Sequence, residues 1–282
     1  MKLLFSFLLI VGAAWTSEVP PTPTGFPEAE TFAYRDQGAR MLLHVVKPAD
    51  WKPGDQRPVL MFFFGGGWTT GTPQSALGWA KMAAKLGMVG IAPDYRTKQR
   101  FDTSPLEAVS DCRAALRWTQ ENAALLGINP AKIVAGGNSA GGHVALWTAI
   151  TESPPGSAAS EAPILKPAGL ILFSTVSDTS VLSGYTPQRF GNHAMALSPI
   201  HQLDPAMPPV LAFHGDADRT VPVSQAIALH DKLVASGNAS ELIIVPGGGH
   251  NFGTEFPEWR EKARARVQHF LAKLGLIPDP IP

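Results

Sequence analysis

The sequence predicts an α/β fold, a mostly parallel central sheet flanked by helices with a small cap or none. Three observations predict it. Short aliphatic or β-branched runs alternate with longer helical patterns, as parallel strands joined by helical crossovers do. Several of those runs are apolar at every residue, the mark of strands covered on both faces. The composition, 45% hydrophobic and 16% charged over 282 residues, is enough to bury a large core in one domain.

Residues 1–16, MKLLFSFLLIVGAAWT, read as a secretory signal peptide. One lysine precedes an apolar block too short to span a membrane, and small residues follow at Gly12, Ala13 and Ala14. Cleavage is expected after Ala14 or Thr16, which makes the protein secreted or periplasmic without a stable membrane anchor. Residues 17–29 form a proline-rich linker expected to be extended or mobile. Residues 30–282 follow as a single domain. Strands are predicted near 30–35, 40–47, 58–64, 88–92, 132–136, 169–174, 209–214 and 241–245. A helix opens at Ser104-Pro105-Leu106-Glu107, a capping box with proline at the first helical position, and stops at Gly127. A second is bracketed by Ser224 and Gly237. A third runs from Pro257 to Leu274 with Val267, Phe270, Leu271 and Leu274 at helical spacing. The stretches 151–168 and 179–208, rich in Pro, Ser and Gly, read as loops or small cap elements.

Charge and cysteine usage narrow the function. With 23 basic and 23 acidic residues the formal net charge is zero, so neither nucleic acid nor a membrane surface is an expected partner. The lone Cys112 cannot form an intramolecular disulfide and reads as a small core residue. His193, His201 and Asp204 lack metal-ligand spacing, and no metal or cofactor is implied.

The chemistry begins at Gly137-Asn138-Ser139-Ala140-Gly141, a G-x-S-x-G stretch between a β-branched strand and an alanine-rich helix. That context makes it a nucleophile elbow, a tight strand-to-helix turn that needs small residues two positions either side of the serine. A serine hydroxyl needs a base, and the base needs a carboxylate to fix its tautomer. Two later strand-plus-loop stretches supply them, PVLAFHGDADRTVP at 209–222 and ELIIVPGGGHNFG at 241–253. His250 is assigned as general base and Asp218 as the acid that orients it. Asp178, also at a strand end, is the rival acid. His143 and His214 read as packed supports. The triple glycine after VLMFFF supplies backbone N–H donors unobstructed by side chains, so Gly66 and Gly67, with Ala140, are the candidate oxyanion hole. Trp68, beside those glycines, is assigned to the substrate-binding wall, a core position being the alternative. Tyr185, Arg189 and Phe190 are further candidates for the pocket.

The stretches Phe64-Gly65-Gly66-Gly67-Trp68, Asp94-Tyr95-Arg96, Gly137 to His143, His214 to Pro222 and Gly249-His250 together resemble the α/β-hydrolase superfamily. More narrowly, they are similar to secreted carboxylesterases of the hormone-sensitive-lipase-like group and to feruloyl and acetylxylan esterases. The resemblance covers most of the chain after about residue 30 and implies that 30–282 is one catalytic domain. It also implies that the acid is the second aspartate of H-G-x-x-D-x-x-V-P, Asp218. One position departs from the pattern. Phe64 stands where such enzymes usually carry a histidine that supports the glycine loop, and a loop held less rigidly is expected. Asp94 and Arg96 are expected to pair. The expected activity is hydrolysis of short-chain acyl or aromatic esters, small or polysaccharide-linked, through a Ser-His-Asp triad. The alternatives are a serine peptidase of prolyl-oligopeptidase type and a non-catalytic binding protein on the same fold.

Overall fold

The computed structural model of the chain describes residues 22–36, 39–156 and 164–279. Its strands are β1 Glu30–Arg35, β2 Met41–Val46, β3 Arg57–Phe63, β4 Val89–Pro93, β5 Ile128–Asn138, β6 Gly169–Phe173, β7 Val210–Gly215 and β8 Ser240–Val245. They form one sheet in the order β1-β2-β4-β3-β5-β6-β7-β8. β2 pairs antiparallel with β1 and β4, and the remaining neighbours are parallel. The apolar runs therefore become inner strands, and β2, β4, β6 and β7 are buried at every position.

The helices are α1 Leu77–Lys85, α2 Lys98–Phe101, α3 Pro105–Glu121, α4 Ala123–Leu126, α5 Ala140–Trp147, α6 Ser224–Ala235, α7 Phe252–Glu255 and α8 Pro257–Lys273. α3 opens with the predicted capping box. Ser104 Oγ accepts from Leu106 N–H, and Glu107 Oε2 accepts from Ser104 N–H at 2.9 Å, an arrangement worth about 1 kcal/mol. The predicted helix to Gly127 is broken at Asn122, whose amide donates back to Trp118 O at 2.8 Å. α5 is buried at all eight residues, which its all-round apolar sequence requires. α1 was not expected from the sequence. Its buried residues are Leu77, Ala80 and Ala83, and alanine marks a helix face only weakly.

Two expectations change and one, for Cys112, holds. The signal region and the start of the linker lie outside the described residues, but Thr22–Ala29 dock on the body. Arg100 donates to Thr22 Oγ1, the Phe26 ring meets His44 edge-on at 4.6 Å, and Glu28 pairs with Lys81. Asp94 and Arg96 do not pair with each other. Arg100 takes Asp94 through both terminal nitrogens at 2.7 and 2.6 Å, while Arg96 takes Asp111 at 2.7 and 2.8 Å. Arg35 joins Asp111 at 2.9 Å, so each buried carboxylate is met by guanidinium, as burial demands. Cys112 is fully buried, and burial pushes its thiol well up, so it is inert core.

The register brings the functional turns together. Phe63 of β3 pairs with Gly137 of β5, Asn138 with Phe173 of β6, Phe173 with Phe213 of β7, and Gly215 with Val245 of β8. The glycine loop, the serine turn and the loops carrying Asp218 and His250 therefore leave the same carboxyl edge of the sheet, where open α/β sheets place their sites.

Candidate active site

Ser139 sits between β5 and α5 at φ 56°, ψ −120°, a conformation strained for a side-chain-bearing residue. The turn is possible because its flanks are glycines. A Cβ on Gly137 would lie 2.2 Å from Gly141 O, and one on Gly141 would lie 2.3 Å from Phe63 O and Phe64 O. Ala140 is the first residue of α5, so its N–H has no acceptor within the helix and points with the positive end of the helix dipole at the turn.

Asp218 Oδ2 lies 2.8 Å from His250 Nδ1, so the two residues assigned from sequence are brought together. Oδ1 accepts from Thr220 N–H at 2.8 Å and Val221 N–H at 2.9 Å, an Asx turn that fixes the carboxylate plane. A second imidazole was not foreseen in this role. His214 Nε2 lies 3.2 Å from Asp218 Oδ2 and 2.9 Å from Val221 O. Both neighbours are acceptors, so the hydrogen-bond network assigns the proton to Nε2. Burial alone would raise the Asp218 carboxyl. The hydrogen bonds from His214 and His250, then from Val221 N–H, outweigh it and hold the group well below the usual carboxylate range. His250 is held from behind by Ser174, whose hydroxyl donates to its carbonyl at 3.0 Å.

Asp178, the rival acid, makes other contacts. It accepts from Ser180 N–H at 2.8 Å, Ser183 Oγ at 2.7 Å and Ser198 Oγ at 3.0 Å. It binds the irregular 179–198 segment together and has no bond to His250. His143, fully buried, has Nε2 at 2.9 Å from Leu197 O, and burial lowers it to about 4. It is a neutral support for the same segment.

The glycine loop turns through Gly66 at φ 128° and Gly67 at φ 60°, the region glycine enters without steric cost. Neither N–H finds an acceptor among the described residues, so both are left for a ligand. The loop is firmer than Phe64 led one to expect. The Phe64 ring stacks on Tyr95 at 4.0 Å and 5°, and Tyr95 Oη donates to Phe64 O at 2.7 Å. The missing histidine contact is replaced by one to the backbone carbonyl. From the other side Arg189 donates to Gly67 O at 3.1 Å. Trp68 is corrected to a core residue. It is 1% exposed, with His143 and Phe190 edge-on at 5.0 and 4.8 Å, because its own positive φ of 59° carries the chain away from the site. Phe190 is buried with it.

A cavity of about 330 Å³ opens beside His250, Gly65 and Asn138. Phe62, Trp79, Phe173 and Phe252 give it an aromatic lining, with Phe62 and Trp79 stacked at 5.0 Å. Sequence reading missed these rings: VLMFFF is apolar throughout, so no alternation marks which phenylalanine faces the site.

Known proteins match this chain in sequence and in fold. The model of the prolyl oligopeptidase family matches residues 80–275. Esterase LipQ of Mycobacterium tuberculosis is 27% identical over 85% of this chain and 58% of its own length. An ethyl acetate hydrolase of Pseudomonas putida is 28% identical over 76% of this chain and 72% of its own. The chain thus spans little more than half the length of LipQ. Est2, an esterase of Thermogutta terrifontis, superimposes with a TM-score of 0.86 at 32% identity, over 95% of this chain and 100% of that one. Est2 has also been solved with propionate bound, a structure that matches with a TM-score of 0.82 at 34% identity, over 90% of this chain and 97% of that one.

Proposed function

The chain belongs to the prolyl oligopeptidase family, and from its likeness to esterases within that fold we propose that it is a serine carboxylesterase acting on small esters. The observation that carries the reading is the His250–Asp218 pair at 2.8 Å on the sheet edge that also presents the strained Ser139 turn and the unpaired glycine N–H groups. Ser139 Oγ attacks the ester carbonyl and gives its proton to His250. Asp218 fixes the imidazole tautomer and stabilises the imidazolium. The N–H groups of Gly66, Gly67 and Ala140 receive the oxyanion, each worth about 3 kcal/mol in the transition state. His250 protonates the departing alcohol, and a water activated by the same imidazole releases the acid.

Short or aromatic acyl groups fit best. The related Est2 is known with propionate and with butyrate bound, and the cavity beside His250 is lined by rings. Polysaccharide-linked esters are within the same proposal, and export rests on the sequence of residues 1–16. A p-nitrophenyl ester series from acetate to palmitate, with acetylated xylan and methyl ferulate alongside, tests it. A maximum at two to four carbons or on the aromatic ester is expected, and one at eight carbons or longer overturns the substrate reading. Family membership favours one second reading, a peptidase. Cleavage of a prolyl anilide faster than p-nitrophenyl acetate would establish it.

A further inference from the structure

The lining of the cavity beside His250 is aromatic at its base and cationic at its mouth. The arginines that line it are Arg260 and Arg264, one turn apart on α8 and so on one face. Glu261 occupies one nitrogen of each, Nε of Arg260 at 3.4 Å and a terminal nitrogen of Arg264 at 3.1 Å, and does not itself line the cavity. The other N–H groups of both guanidiniums make no contact with any carboxylate among the described residues. Asn138, which precedes the nucleophile, faces the same space with a side chain that makes no hydrogen bond among the described residues. An apolar cavity of about 150 Å³ can hold benzene, so about 330 Å³ has room for a ring with substituents.

We propose that this cavity selects esters in which the group it receives is a flat aryl ring bearing a carboxylate, the ring lying against the wall formed by Phe62, Trp79 and Phe173, which pack on one another, and the carboxylate meeting Arg260 and Arg264. The inference rests on the serine-esterase reading of the same site. Guanidinium matches a carboxylate geometrically and stacks well beside rings. Both arginines are about half exposed, so solvent screening keeps the effect moderate.

Two matched substrate pairs test it. Methyl 3-(4-carboxyphenyl)propanoate against its 4-methyl analogue puts the charge on the acyl side, and 4-carboxyphenyl acetate against 4-methylphenyl acetate puts it on the alcohol side. Comparing wild type with R260Q/R264Q on each substrate cancels intrinsic reactivity. For one of the two pairs the charged member is expected to lose about tenfold in kcat/KM, carried by KM, while its neutral partner loses less than threefold. R260K/R264K should recover most of the loss, and 0.5 M salt should shrink the difference between wild type and R260Q/R264Q. The pair that responds identifies which side of the ester enters the cavity. Equal losses on charged and neutral members in both pairs, or no loss in either, overturn the proposal. Failure of the underlying reading looks different: wild type would hydrolyse none of the four esters, or would do so undiminished by Ser139→Ala.

Discussion

The loops that leave β6 and β7 start from paired strand ends, Phe173 beside Phe213, and each presents an aspartate a few residues on. Asp178 is bonded by serine donors, with the His201 imidazole at 3.8 Å and reached only through Ser198 Oγ, while Asp218 bonds two imidazoles directly. Serine donors knit Asp178 into the 179–198 segment, whereas Asp218 holds His214 behind it and His250 in front. Both carboxyls are buried, which by itself would raise them, and both are pulled below their usual range by the hydrogen bonds they accept. A lowered acidity therefore does not separate a catalytic acid from a structural one. The chemistry of the partner does, because only a carboxylate on an imidazole can set which nitrogen carries the proton.

The largest effect tests whether the Asp218 side of that contrast is catalytic at all. Ser139→Ala should lower kcat on p-nitrophenyl acetate by about 10⁴-fold or more with an unchanged fold, and near-wild-type turnover would remove the serine mechanism. Next come the two aspartates, compared at equal folded protein. Asp218→Asn should cost about 10³- to 10⁴-fold, since the amide favours the wrong imidazole tautomer. Asp178→Asn should stay within about tenfold and show its cost in melting temperature, because three donors then meet a weaker acceptor. The reverse ranking would transfer the acid to Asp178. A smaller effect is expected at His214, which reaches the site through Asp218 and through the Val221 carbonyl of the same turn. His214→Phe should lower kcat about tenfold and leave KM within about twofold, since it loosens the acid without touching substrate. His214→Gln, which keeps an N–H, should fall between. A change in KM alone would make the residue merely structural.

Much of this was legible in the sequence because the strands are long apolar runs and each candidate side chain follows one directly. Ser139 and His250 could be located from strand-then-loop context without knowing the register that aligns them, whereas Asp218 was told from Asp216 only by the family resemblance and from Asp178 by the contact with His250. What was not legible depends on direction. The backbone conformation at Trp68 turns a side chain next to the oxyanion loop into the core, and nothing in GGGW encodes that sign of φ. Arg96 and Arg100 compete for Asp94, and only the path of the turn after β4 decides that Arg100 wins and Arg96 goes to Asp111. Arg260 and Arg264 read as ordinary surface charge on a helix until α8 is laid against the mouth of the cavity.

The last effect is read in stability rather than turnover, and it contrasts two imidazoles near α5. At its start the site uses an imidazole that faces a carboxylate, His250. Within it, His143 faces a carbonyl, Leu197 O, and burial lowers it to about 4. Unfolded, a histidine titrates near 6.5. Between those values the unfolded chain binds a proton that the folded chain refuses, so stability rises with pH across that window and is lost as pH falls from about 6.5 to 4. Below about 4 both states bind the proton and the loss stops growing. The shift corresponds to about 3 kcal/mol for His143, or on the order of 5 °C or more in a chain of this size. His44, also lowered to about 4 by burial, adds a loss of the same sign. Melting curves at pH 7, 5.5 and 4.5 should therefore fall together for wild type and less steeply for His143→Gln, whose amide can still donate to Leu197 O but does not titrate. If the two proteins lose stability in parallel, the imidazole on the carbonyl is already charged in the folded state, and the 179–198 segment is held by something other than a neutral His143.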